Sequence, residues 1–289
     1  MGLIVNPDSI YFRINPPDRP YVEKTGLLKC MNRVLNTPEG YILMSMPHGW
    51  GKTFLSRMTA SYYSLGSDYE KLFSSLEIGK DASFRDHLNS HDVIYINAEG
   101  CIYASEGEEN TVPYITRKII SELGEYYPGK VPASCESVAE ALTAVSETTG
   151  RKFVFVIDDW DGPVRVGRNR EAVAAYLQLL ESIFDSGNTY TSLAFMAGVL
   201  PLPEDVRKTS LGRFREFSLS SPGSFAPYLG LTGGEVRALC SEYRCDYDSL
   251  SSHCGGYESG GVKVFSPRIV LRDILGGDFR ISLSQADSL

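Results

Sequence analysis

No stretch of this chain approaches the roughly 18 consecutive apolar residues that a bilayer-spanning helix needs, so no membrane association is expected. The N-terminus, MGLIVNPDS, has neither the basic start nor the long apolar run of a secretory leader. Gly2 lacks the Ser or Thr that myristoylation wants at position 6, where Asn6 stands. Cysteine occurs six times, at Cys30, Cys101, Cys135, Cys240, Cys245 and Cys254, with no C-x-x-C pair and no spacing that suggests a disulfide framework. Reduced thiols in a cytoplasmic protein, with the nucleus also open, are the expectation. The rival is a metal site from Cys240, Cys245, His253 and Cys254, whose spacing matches no standard zinc pattern. Positive charge is scarce: 28 Lys and Arg against 36 Asp and Glu give a net charge of -8. That argues against nucleic acid as a partner, because neutralising phosphates takes clustered cations.

What is present is an ordinary globular balance over 289 residues, 43 % apolar and 22 % charged, enough for one large α/β domain with a small appendage. Pro7, Pro16, Pro17 and Pro20 mark residues 1–20 as an extended lead-in lying on the surface. A short helix is expected over 26–35, then a buried strand over 41–46 and a helix over 54–64. Further strands are read at 91–98, 153–157 and 193–197, with helices over 112–126, 137–146 and 171–184 between them. Alternation of this kind from about 40 to 200 predicts a parallel sheet sandwiched between helices. Thr232 followed by Glu235 predicts a capped helix over 232–243. The expected divisions are a lead-in (1–20), an α/β core (21–204), a small, mainly helical C-terminal subdomain (205–275) and a disordered tail (276–289).

Gly51-Lys52-Thr53 follows an apolar strand and opens a helix, the context a phosphate-binding loop requires. Helix N-terminal N–H groups attract phosphate, Lys52 adds a positive charge, and the Thr53 hydroxyl suits magnesium. The full pattern begins with a glycine, and here Met46 holds that place. A bare GKT is as often structural as functional. The strand Phe153–Ile157 ending in Asp158-Asp159 shifts that balance: in P-loop proteins the first carboxylate holds magnesium and the second polarises the attacking water. The competing reading is a strand running into an Asx turn. The strand at 93–97 is expected to separate the two motif strands in the sheet.

Taken together, these segments resemble the bacterial and fungal AAA-ATPase-like family often fused to a PD-(D/E)XK nuclease domain. The family's opening Y-[VI]-D-K-T is matched by Tyr21-Val22-Glu23-Lys24-Thr25, and its phosphate loop by Met46-Pro47-His48-Gly49-Trp50-Gly51-Lys52-Thr53. Its LF-x-x-L-x-I corresponds to Leu72–Ile78, its I-D-E-Y-D-x-P to Ile157–Pro163, its T-G-V to Ala197–Val199, and its G-[FL]-T-x-x-E-V to Gly230–Val236. The resemblance implies an ATP- and Mg2+-binding protein whose core over 21–204 has the P-loop NTPase fold. Pro47, His48, Gly49, Trp50, Gly51, Lys52, Thr53 and Phe54 would line the nucleotide, Thr53 and Asp158 would hold the metal, and Asp159 would be the catalytic carboxylate. ATP is favoured over GTP because no Asn-Lys-x-Asp signature occurs.

The departures from the family weaken turnover rather than binding. Met46 and His48 replace loop arginines, and Ala197 replaces the Thr of the fourth strand. Asp159 stands for a Glu one methylene longer; a water held about 1 Å off costs on the order of 100-fold in rate. Slow or impaired hydrolysis is therefore expected. The alternative is a pseudo-ATPase acting as an interaction module for a protein partner of unknown identity. No P-D…[DE]-x-K arrangement follows residue 200; Asp246, Asp248 and Lys263 make only a loose version of it. Arg165, Arg168 and Arg170, or Arg213 and Arg215, could serve as an arginine finger, though solvated loops explain such clusters more often. Asp161 is read as ordering its loop, and Trp50 as packing on either the sheet edge or the base. His87, His91 and His253 are read as structural.

Overall fold

The computed structural model describes residues 2–7, 20–66 and 68–276. Most of the expected lead-in (8–19) and nearly all of the expected tail (277–289) lie outside these residues.

Five strands, β1 (Tyr41–Ser45), β2 (Asp92–Asn97), β3 (Phe153–Asp158), β4 (Thr191–Gly198) and β5 (Arg215–Ser218), form one parallel sheet ordered β2-β3-β4-β1-β5. The helices are α1 (Gly26–Asn32), α2 (Lys52–Tyr63), α3 (Glu70–Phe73), α4 (Phe84–His87), α5 (Ala98–Ala104), α6 (Glu108–Tyr126), α7 (Val138–Thr149), α8 (Gly162–Val166), α9 (Arg170–Ile183), α10 (Gly233–Tyr243), α11 (Tyr247–Cys254) and α12 (Pro267–Ile274).

Alternation along β3 shows how the sheet is covered. Phe153, Phe155 and Ile157 join the core made with α6, α7 and α9, while Val154 and Val156 join the opposite core made with α1 and α2. Every residue of β3 is buried, as expected of a central parallel strand with helices on both faces.

One strand does separate the two motif strands, but it is β4 and not the 93–97 strand. The reason is burial. Leu193 to Ala197 are enclosed on both faces and suit an inner position, whereas Tyr95 and Asn97 are only half-buried and β2 lies outermost. The outer edge of β2 is covered by residues 4–6. Val5 bridges Ile94, Asn6 N donates to the Val93 carbonyl at 2.8 Å, and Tyr95 N donates to that of Ile4 at 2.9 Å. The Glu122 carboxylate, on α6, accepts from the amides of Leu3, Ile4 and Val5. Val5 is fully buried, so this part of the lead-in lies inside the fold rather than on its surface.

The C-terminal region holds α10, α11 and α12, with the capping box of Thr232 and Glu235 formed as expected. Between them lies a small antiparallel sheet that the sequence reading did not find: β6 (Leu231–Thr232), β7 (Tyr257–Ser259) and β8 (Val262–Phe265), ordered β6-β8-β7. Strands of two to four residues leave too short a pattern to read. Leu231, Val236, Leu239, Phe265 and Val270 make a separate core there, and Val22 packs against it. His253 Nε2 lies 3.4 Å and Cys254 Sγ 3.5 Å from Asp273 Oδ2. Among the described residues no three metal-ligating groups converge. His87 and His91, read from sequence as structural, are stacked, with ring nitrogens 3.0 Å apart.

Residues 21–25 form a strap between the sheet domain and this region. Lys24, 6 % exposed, donates to both Glu235 carboxylate oxygens at 2.7 and 2.6 Å and to the Pro227 carbonyl at 2.7 Å. Removing one partner of a buried ion pair strands the other. Lys24→Ala should lower unfolding free energy by about 3 kcal/mol in urea denaturation. Lys24→Met combined with Glu235→Gln, which keeps the capping box, should recover part of that loss.

Candidate functional site

The turn from β1 into α2 is made by the loop 46–51. Gly49 and Gly51 have φ of +80° and +90°, a region that side chains with a Cβ avoid. Gly49 has a second constraint: an added Cβ would lie 2.8 Å from the Cβ and Cδ of Arg268 on α12. The Gly49 carbonyl accepts from Arg268 N at 3.1 Å and Ser266 Oγ at 3.3 Å. Met46 N donates to the Gly198 carbonyl at 2.9 Å, fixing the start of the loop to the end of β4.

Lys52, Thr53, Asp158 and Asp159 are brought together at the carboxyl ends of β1 and β3. Lys52 is buried; its Nζ donates to the carbonyls of Met46 and Pro47, each at 3.2 Å. Burial lowers its pKa, opposed by the nearby charges of Asp159, Asp158 and Asp161. Asp158 is 0 % exposed and is held mainly by hydroxyls: Thr53, Ser56 Oγ at 3.1 Å and Tyr95 OH at 3.4 Å, with Arg57 nearby. Burial, aided by Asp159, pushes its carboxyl up to about 6 against these partners.

Asp159 adopts φ 45°, left-handed backbone that turns the chain sharply after β3. Burial raises its pKa, Lys52 opposes this, and Glu99 and Asp161 add to it. Asp161 accepts from the amides of Val199 at 3.2 Å and Leu200 at 2.9 Å, tying the end of β3 to that of β4. Arg165 pairs with Asp161 at 3.2 Å and with Glu99 at 2.7 Å. Of the finger candidates, Arg165 is therefore engaged internally, while Arg168 and Arg170 are exposed. Arg213 lies over the Tyr41 ring, 3.8 Å from its centroid, and Arg215 is exposed.

Pro47 and His48 are exposed and Phe54 is half-buried. Trp50 packs against an outer strand of the small sheet rather than the five-stranded one. It is 5 % exposed and packs edge-on against Tyr257 of β7 at 5.5 Å, with Gly230 beneath it. Sequence reasoning missed Ser56, Arg57, Tyr95, Glu99 and Arg268. Ser56 and Arg57 stand three and four residues after Thr53, on the same helix face, and that spacing was an available signal. Glu99 and Arg268 carried none, since each reaches the site through tertiary packing.

A strand, a glycine-bearing loop and a helix opening on Lys-Thr, set beside a strand ending in buried carboxylate, define a P-loop α/β protein. The profile of the AAA-ATPase-like family, described as a predicted AAA-ATPase, matches residues 9–206, and the chain belongs to that family. Among solved structures, the chain is similar to the ORC2 protein of Aeropyrum pernix, determined as ADPNP-ADP complexes. The two share 14 % identity with a TM-score of 0.45, over 97 % of this chain and 68 % of that one. No curated protein matches the chain. Among the described residues no helix is long and apolar enough to cross a membrane.

The raised pKa of Asp158 has a definite sign. The neutral form favours the fold, so its contribution is complete below pH 3.8 and is lost as pH rises through about 6. Two units correspond to about 3 kcal/mol. Asp158→Asn, which resembles the neutral acid, should melt several degrees above wild type at pH 8 without ligand. The difference should close below pH 4, as read by thermal unfolding at both values.

Proposed function

We propose that the chain binds ATP with Mg2+ at the 46–53 loop and hydrolyses it slowly, in the service of a protein partner. The observation that carries this reading is the enclosed Asp158 carboxylate, beside Lys52 and under the Thr53 and Ser56 hydroxyls. Its donor set is mostly neutral and its charge is poorly offset, which fits a site for a hard divalent cation taking oxygen ligands. Thr53 and Asp158 would hold Mg2+, which would supply neutralisation of phosphate charge.

The remaining roles fall to the chain itself. The first turn of α2 offers amides without helical partners, a ready anion site. Lys52 exchanges the Met46 and Pro47 carbonyls for phosphate oxygens. Arg268, resting on Gly49, supplies a second cation next to the loop. Asp159 orients the attacking water and takes its proton, with a carboxylate one methylene short of the family's Glu. Membership of the AAA-ATPase-like family supports nucleotide binding; the identity of the base, the metal and the turnover are our reading.

Calorimetry on wild type and Lys52→Ala tests binding. Magnesium-dependent ATP binding should be present in the first and weakened at least ~100-fold in the second, a loss of about 2.7 kcal/mol. Loss of ATP binding in neither protein, or its absence in both, contradicts the proposal. Turnover on the same samples separates the pseudo-ATPase reading, which the short Asp159 favours. Asp159→Glu should raise phosphate release by roughly 10-fold to 100-fold by restoring reach. Background release in both wild type and Asp159→Glu, with binding intact, would assign the chain to nucleotide holding alone.

A further inference from the structure

We propose that Tyr21 is the residue through which this chain recognises the nucleobase, with the 21–25 strap and α2 forming the base subsite. This rests on the nucleotide-binding reading above. The Tyr21 hydroxyl is sealed from solvent and has no hydrogen-bond partner. Burial raises its pKa, so the group is a neutral phenol that can both donate and accept. A buried unpaired hydroxyl costs free energy that a ligand can recover.

Its position is the second part of the argument. The Tyr21 ring lies 6.0 Å from that of Phe54, tilted by 55°. Phe54 follows Lys52 and Thr53 directly on the first turn of α2. Phosphates held at that turn leave the sugar and base to run past Phe54 toward the strap. The two rings supply an aromatic wall for a flat base, and the phenol supplies a polar group able to meet a base edge that pairs a ring nitrogen with an amino group, as adenine does. The strap is also anchored: Val22 enters the C-terminal core, and Lys24 is bound to Glu235 at the start of α10. A base reader on this strap would link occupancy of the nucleotide site to the seating of the C-terminal region.

The test is Tyr21→Phe, which keeps the ring and removes only the unpaired hydroxyl. Binding of ATP and of inorganic tripolyphosphate is measured on wild type, Tyr21→Phe and Lys52→Ala, each with Mg2+. The thermal midpoint without ligand should be equal or higher in Tyr21→Phe, because no intramolecular bond is lost and a buried unpaired hydroxyl is removed. ATP affinity should fall by about 10-fold in Tyr21→Phe, one hydrogen bond's worth, while tripolyphosphate affinity stays unchanged. Lys52→Ala should weaken both ligands. Equal ATP affinity in wild type and Tyr21→Phe, with Lys52→Ala impaired, overturns the base-reading role and leaves nucleotide binding standing. A parallel loss for ATP and tripolyphosphate in Tyr21→Phe also overturns it, since the hydroxyl would then act on the phosphate loop. No ATP binding by wild type overturns both proposals.

Discussion

A carboxylate buried at the end of the inner strand β3 is the constraint on which this architecture depends. Asp158 is enclosed because β3 is apolar on both faces and covered by helices on both sides. The sheet therefore delivers a charge to a place with little water, and α2 must answer it. Thr53, Ser56 and Arg57 lie at 3.6-residue spacing on the face turned toward it. Burial still wins over these partners, so the ligand-free fold carries an electrostatic strain of its own. Functional sites commonly hold such strain in reserve for a ligand.

The 46–51 loop is the second point of convergence, and three parts of the chain hold it. β4 fixes its start through Gly198, α12 holds Gly49 from the C-terminal side, and Trp50 is pinned between Tyr257 and Gly230. The 21–25 strap lies over the following helix turn and is locked to α10 through Lys24. Any ligand that reshapes the loop must act against contacts in the C-terminal region. Coupling of this kind needs no long pathway, because the loop and that region touch directly.

Much of this was legible in the sequence, for physical reasons that differ by element. The runs at 41–46 and 153–157 read as strands because central parallel strands are apolar on both faces. Gly51-Lys52-Thr53 and Asp158-Asp159 stood out because their chemistry is local to one strand end each. The helix at 233–243 announced itself through Thr232 and Glu235. Strand order was misassigned: it depends on which strand is enclosed on both faces, and the half-buried Tyr95 and Asn97 of β2 became informative only with the fold in hand. β6, β7 and β8 are too short to show a period. Trp50 gave no sign of its partner because Tyr257 lies about two hundred residues away. Glu99 and Arg268 were invisible as site residues for the same reason.

Hydrogen exchange of the backbone, compared with and without ATP and Mg2+, addresses the central claim most directly. The account predicts slowed exchange in the strap (21–25), the loop and first turn of α2 (46–56), the end of β3 (157–161), and the start of α12 (266–270). Exchange that is unchanged in the 46–56 segment under saturating nucleotide, or protection appearing only elsewhere, would contradict a phosphate site built on Lys52, Thr53 and Asp158.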